Sequence, residues 1–212
     1  MYIPTAFAEK DQAKLHAFME AYSFGLLVST QQGQPFASHL PFLLDRTRGP
    51  CGTLIGHMAR ANPQWRGLDG QEVLAIFSGP HAYISPTWYE SDTVVPTWNY
   101  VAVHAYGPFH SIEEPQELTE LLTAAVRTYE QSRPEPWQLD SNADFFQKLL
   151  RAIVGFRIEI SRLEGKWKLN QNHPHERRQR VIRVLQAAAH PDAQEIARLM
   201  AAAGEKTAGP AT

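Results

Sequence analysis

The stretch His81–His110, HAYISPTWYESDTVVPTWNYVAVHAYGPFH, decides how the rest of the chain is read. It holds Trp88, Trp98 and five further aromatics, together with His81, His104 and His110, against only two acidic residues, Glu90 and Asp92. Val94, Val95, Val101 and Val103, with Tyr100 and Tyr106, have the β-branched and aromatic character of strands. Ser85-Pro86, Val95-Pro96 and Gly107-Pro108 punctuate them as strand ends, bulges or turns. A run this aromatic is not plain surface, and one this polar is not plain core. The reading is one wall of a flat, aromatic-lined site.

Working outward, 212 residues suit one large domain, or a domain with an appendage. A hydrophobic fraction of 43% and a charged fraction of 20% are those of an ordinary globular protein. The net charge of −2 leaves no basic footprint for nucleic acid. The single cysteine, Cys51, excludes an intramolecular disulfide and any cysteine-rich metal site, and suits a reducing cytoplasm. No charged segment followed by an apolar run marks a secretion signal, and no apolar run approaches the ~20 residues of a membrane span.

Before the aromatic stretch, Leu15, Phe18, Met19 and Tyr22 share one helical face over residues 9–22. Short strands follow at 26–30, at 36–45 with a break at Pro41, at 53–58 and at 72–77, the last closed by Ser78-Gly79-Pro80. Gln31-Gln32-Gly33-Gln34 has the composition of a hairpin loop. With two or three more strands from 81–110, about six antiparallel strands precede residue 111, which favours a barrel over a βαβ sheet. A helical insertion spans 113–150, with Ser111/Glu114 fitting a capping box and Ser141 or Asn142 capping its second helix. Phe156, Ile158 and Ile160 alternate as a returning strand. Gly165–Asn172 reads as a polar loop, followed by a basic helix with Arg178 inside its apolar stripe, and by a last helix ended at Gly204. The expected division is a barrel domain over 1–172 and a helical extension over 173–212 with a disordered tail. The fold class is therefore β-rich α+β.

No GxGxxG, P-loop, HExxH or GxSxG is present. His173 and His175 flank Pro174, a poor spacing for a metal pair, so no metal site is expected. Gly56-His57-Met58-Ala59-Arg60-Ala61-Asn62-Pro63 is the most chemical short element. Asn62 suits an N-cap with Pro63 at the first helical position, and Arg60 beside it either grips a phosphate or pairs with a surface carboxylate. Ser38-His39-Leu40-Pro41, on the preceding strand, is expected close to the His57 segment. Trp98-Asn99-Tyr100 either stacks on a planar ligand, crosses a dimer interface or packs in the barrel wall.

These segments together resemble the PaiB-like family of FMN-binding negative transcriptional regulators. The likeness rests on MYIP at the start, GHMARANPQW, HAYISPTWY, VPTWNYVAVHAYG, VGFRIEI and EGKWKLNQN. It implies a six-stranded antiparallel split β-barrel of the pyridoxamine-phosphate-oxidase and flavin-reductase kind, with flanking and C-terminal helices. It also implies a homodimer with FMN at the subunit interface. By the resemblance, Arg60 with Ser38 and His57 would hold the FMN phosphate, and His39, Leu40 and Pro41 would follow the ring or ribityl chain. Tyr83 and Ser85 would border the pocket, Trp98 and Asn99 would close it from the partner, and Lys168, Gln171 and Asn172 would contact ligand or partner. Asn170 and His173 depart from the family pattern, which has serine and arginine there.

Two other activities compete with a cytoplasmic flavin-binding regulator. One is a flavin-dependent oxidoreductase acting on a small molecule. Its variant is haem in the same slot, with His39, His57 or His81 as axial ligand. Direct DNA binding through Arg177, Arg180 and Arg183 is supported neither by charge nor by a helix-turn-helix.

Overall fold

The computed structural model describes residues 1–89, 94–140 and 144–205. The caps expected at Ser141 or Asn142, and the tail beyond Glu205, lie outside the described residues. In chain order the elements are β1 (Ala8–Glu9), α1 (Gln12–Ala21), β2 (Phe24–Gln31), β3 (Gln34–Pro41), β4 (Leu43–Asp45), β5 (Thr53–Ala59), β6 (Glu72–Ile84) and β7 (Thr97–Ile112). There follow α2 (Pro115–Glu130), α3 (Asp144–Leu150), β8 (Ile153–Glu159), β9 (Arg162–Lys168), α4 (His175–Gln186) and α5 (Pro191–Glu205). They form two compact units, Gln12–Phe77 with His104–Leu163, and Met1–Asp11 with Ser78–Val103 and Glu164–Thr212. The C-terminal helices belong to the same unit as Ser78–Val103.

The first unit carries the barrel. Its strands run β3-β2-β6-β7-β8-β5-β4 along the hydrogen-bonded path. The β2–β3 hairpin turns at Gln32 (φ 51°) and Gly33 (φ 79°), the two left-handed residues a tight two-residue turn requires. Proline offers no N–H, so the ladder stops at Pro41. Phe42 then donates its N–H to Ser23 O at 2.8 Å, and β4 starts one residue later. The long strand expected over 36–45 is thus β3 and β4 with a break between them. Pro41 O comes within 3.0 Å of where a Cβ on Gly56 would stand, which brings the end of β3 against β5 without pairing them. At Gly107 a Cβ would sit 2.1 Å from Glu159 O, so the crossing of β7 and β8 requires glycine. The helical insertion covers one sheet face: Leu118, Leu121, Phe146 and Leu150 pack on Ile112.

In the second unit β1 pairs with β9, Ala8 opposite Lys166, and β9 pairs with β7. Helices α4 and α5 pack together, with α4 also against the 3₁₀ turn Pro86–Tyr89. Arg178, inside the apolar stripe of α4, is buried and donates Nη2 to Met200 O at 3.1 Å. The basic face of this helix is partly committed in the same way, with Arg180 Nη1 on Tyr89 O at 3.1 Å.

Several expectations are corrected. Ser78-Gly79-Pro80 does not close a strand, and Gly107-Pro108 does not either; β6 and β7 run through them, so 81–110 extends β6 and adds one new strand, β7, instead of two or three. In β6 the buried positions are odd from Val73 to Phe77 and even from Pro80 to Ile84. The covered face of the strand therefore changes at Ser78-Gly79. Gly165–Lys168 is strand, not loop, because pairing with β1 and β7 overrides its polar composition. The capping box fails: Ser111 belongs to β7, where its N–H bonds Asp69 Oδ1 at 3.0 Å, and Glu114 caps α2 without a side-chain bond. Gly204 lies within α5.

Candidate functional site

The residues singled out in the sequence fall into two sets, one in each unit. In the barrel unit, Asn62 accepts the Gln64 N–H at 2.9 Å and donates Nδ2 to Ser38 Oγ at 2.8 Å. The cap expected at Asn62 with Pro63 in the first turn is therefore present, and it ties Ser38 to the GHMARANPQW segment. The turn it caps is only Pro63–Trp65, too short to act as a phosphate-binding helix terminus. Gln64, which the sequence did not flag, is fully buried and donates Nε2 to Leu27 O at 2.9 Å and Ser29 Oγ at 3.1 Å. It staples the turn to β2. Only its position after the Asn-Pro cap hinted at this.

Arg60 takes the alternative that the sequence left open. Its Nη1 pairs with Glu113 Oε2 at 2.6 Å, its Nε donates to Arg151 O at 3.1 Å, and its guanidinium lies 5.8 Å from the Trp65 ring centre. The pair is partly exposed, 36% for the arginine and 49% for the glutamate. Such a pair contributes little, so a stronger anion can displace Glu113. His39 is exposed on β3 and stacks near Phe24, with ring centres 6.3 Å apart, while Leu40 is buried on the opposite face. Pro41 and His57 line one cavity beneath α2. Burial holds the His57 imidazole below the usual histidine range.

In the second unit, His81, Tyr83 and Trp98 form a cluster, the Trp98 ring 5.9 Å from each of the other two. Trp98 is 53% exposed and Tyr83 46%. Lys168 Nζ sits at its edge, bonded to Thr97 Oγ1 at 2.5 Å and Trp98 O at 2.7 Å. Burial, with the positive charge of Lys166, lowers the Lys168 ammonium pKa. Ser85 Oγ shares a 2.8 Å bond with Thr87 Oγ1. Asn99 is fully buried and donates Nδ2 to Met200 Sδ at 3.3 Å, so it has no exposed surface with which to close a neighbour's pocket. Gln171 holds its own loop, accepting from Leu169 N at 2.7 Å and donating to Trp167 O at 2.5 Å. Two residues carrying no expected role meet the buried Tyr89: Asn170 bonds its hydroxyl, and His173 stacks on its ring at 4.8 Å.

An antiparallel barrel with these loop elements is the split-barrel architecture of flavin proteins. Flavocytochrome Anf3 from Azotobacter vinelandii superposes with a TM-score of 0.59 at 16% identity, over 76% of this chain and 69% of that one. The FAD and haem binding protein from Mycobacterium smegmatis gives 0.58 at 15% identity, over 76% and 73%. At such identities the likeness concerns the fold alone. Residues 1–162 match the family described as "Putative FMN-binding domain", and the chain belongs to it. It is also 39% identical over 202 residues to the Bacillus subtilis protein named Protease synthase and sporulation protein PAI 2, covering 94% of this chain and 96% of that one.

Proposed function

We propose that the chain is an FMN-binding split-barrel protein that acts in the cytoplasm as a homodimeric negative transcriptional regulator of the PaiB kind. The observation that carries this reading is the exposed aromatic cluster of His81, Tyr83 and Trp98. A contiguous, uncovered aromatic patch suits a ligand or partner. Membership of the FMN-binding family supports a flavin as that ligand, and the sporulation relative supports a regulatory role.

The residues present fit FMN in chemical type. The cluster offers ring faces to the isoalloxazine, and Lys168 at its edge is an ammonium suited to an acceptor edge of that ring. Within the barrel unit, Arg60 is a cation suited to a phosphate once it exchanges Glu113 for it. When bound, FMN supplies reversible one- and two-electron redox chemistry. Regulation would follow if occupancy or redox state changes the surface that Trp98 presents. Among the described residues no helix is long and apolar enough to cross a membrane.

The test is a visible absorption spectrum of purified protein with FMN titrated in, beside the Trp98→Ala variant. Yellow protein, or saturable binding of FMN weakened roughly tenfold in the variant, is expected from loss of one aromatic contact. Protein that stays colourless and takes up no FMN overturns the reading. Light scattering on both forms tests the dimer, which a monomeric mass at all concentrations would refute.

A further inference from the structure

The barrel unit has a second candidate ligand site, apart from the aromatic cluster. A cavity of about 250 Å³ lies between the sheet and α2. Leu43 and Ile55 form its sheet side, and Leu121, Leu122 and Val126 its helix side, with Trp137 beyond the end of α2 at the rim. Strand alternation puts Ile55 and His57 together on the cavity side of β5, while Leu54 and Met58 turn into the opposite, buried face.

The polar groups of this cavity are nearly all engaged. The Tyr129 hydroxyl donates to Ser23 Oγ at 3.1 Å. The Glu130 carboxylate holds Arg133 Nε at 3.1 Å and the Trp137 N–H at 3.0 Å. His57 differs: among the described residues its imidazole has no hydrogen-bonding or charged partner. A half-buried polar ring left unpaired in an apolar wall costs free energy unless something bonds it.

We propose that this cavity binds a small, uncharged, mainly apolar molecule of one or two rings whose single polar group pairs with His57. Size sets the scale. An apolar cavity of roughly 150 Å³ takes benzene, so about 250 Å³ here suits one or two rings. Charge sets the rest. Glu130 already has its counter-ion in Arg133, which leaves no free carboxylate for a cation. Burial keeps the His57 ring neutral, which leaves no positive group for an anion. The inference does not rest on the flavin reading, because the cavity residues other than His57 and Pro41 have no part in it.

The test uses the full-length protein and three probes: 2-naphthol, naphthalene, which lacks the hydroxyl, and 2-naphthoate, which carries a charge. Calorimetric or fluorescence titration is expected to show saturable 2-naphthol binding, with naphthalene and 2-naphthoate each weaker by tenfold or more. His57→Leu should bring 2-naphthol down to the naphthalene level. Ala125→Phe, which fills the cavity from α2, should abolish binding of all three while FMN uptake is unchanged. Unfolding curves on both variants confirm that they are folded. No 2-naphthol binding to the parent protein, or undiminished binding in a folded Ala125→Phe variant, overturns the site. Equal binding of 2-naphthol and naphthalene, or preference for 2-naphthoate, overturns the assigned ligand class.

Discussion

The side-chain amide of Asn170 donates to the hydroxyl of Tyr89 at 2.7 Å, and both residues are buried. Asn170 holds this position in the left-handed backbone region, at φ 63°. Asparagine tolerates that region better than most residues, so one side chain supplies both the turn and the bond. His173 stacks on the same tyrosine, and the His173 N–H closes the turn onto Asn170 O at 3.0 Å. Asn170→Gly keeps the backbone but loses the bond, and should destabilise by about 1–2 kcal/mol. Asn170→Ala should cost about 1 kcal/mol more, the strain of a left-handed alanine. Urea denaturation of both variants checks the order; alanine no worse than glycine would refute the backbone part.

Acid stability should depend on two half-buried histidines. Burial lowers the pKa of His57, and burial with the charges of Arg177 and Lys168 lowers that of His173, both from 6.5. A depressed folded pKa means that the unfolded chain binds more protons below pH 6.5, so stability is fully present above that value and is lost as pH falls. Melting temperatures should drop as pH is lowered through the sixes, and the His57→Leu, His173→Phe double variant should show a shallower drop. An unchanged slope would assign the acid limb to other groups.

Gly107 cannot be replaced at its crossing with β8. A Cβ there would stand 2.1 Å from Glu159 O, a backbone atom held by its own strand. Gly107→Ala should destabilise by about 3 kcal/mol, at the upper end of overpacking effects. Gly67→Ala is an informative control. Its Cβ would meet nothing within 4 Å, so it tests positive φ alone, at 72°. Equal losses in the two variants would remove the steric argument for Gly107.

The Arg60–Glu113 pair gives the flavin reading a signed prediction. If Arg60 releases Glu113 to take the phosphate, Glu113→Gln should strengthen FMN binding several-fold by removing the competitor. Arg60→Gln should weaken it by roughly tenfold or more, the scale of a charge-assisted hydrogen bond. Riboflavin, without the phosphate, should respond to neither change. Parallel effects on FMN and riboflavin in titrations would remove Arg60 from the phosphate site.

Much of the architecture was legible from residue order. The hairpin at Gln31–Gln34, the break at Pro41, the Asn62 cap and the insertion of α2 and α3 all follow from local rules of φ, missing N–H groups and periodicity. Proline and glycine misled in β6 and β7, because a long strand absorbs them where it bulges or crosses a neighbour closely. The strand at Arg162–Lys168 was hidden for a related reason. Its lysines are polar in sequence, yet Lys166 is buried with its ammonium on Tyr2 O at 3.1 Å.

The stretch His81–His110 separates the two sources of information most clearly. Its aromatic and β-branched composition by itself determined that it forms strand with an aromatic face. Tertiary structure decided which side chains stay uncovered: Trp98 and Tyr83 remain exposed, whereas Tyr89 is sealed beneath Asn170 and His173 and Asn99 beneath Met200. Tertiary structure also decided that Arg60 meets Glu113 and that His57 faces an apolar cavity. Strand alternation and local geometry depend on near neighbours, which a sequence lists in order. Partners such as Glu113, 53 residues from Arg60, are chosen by packing between distant segments.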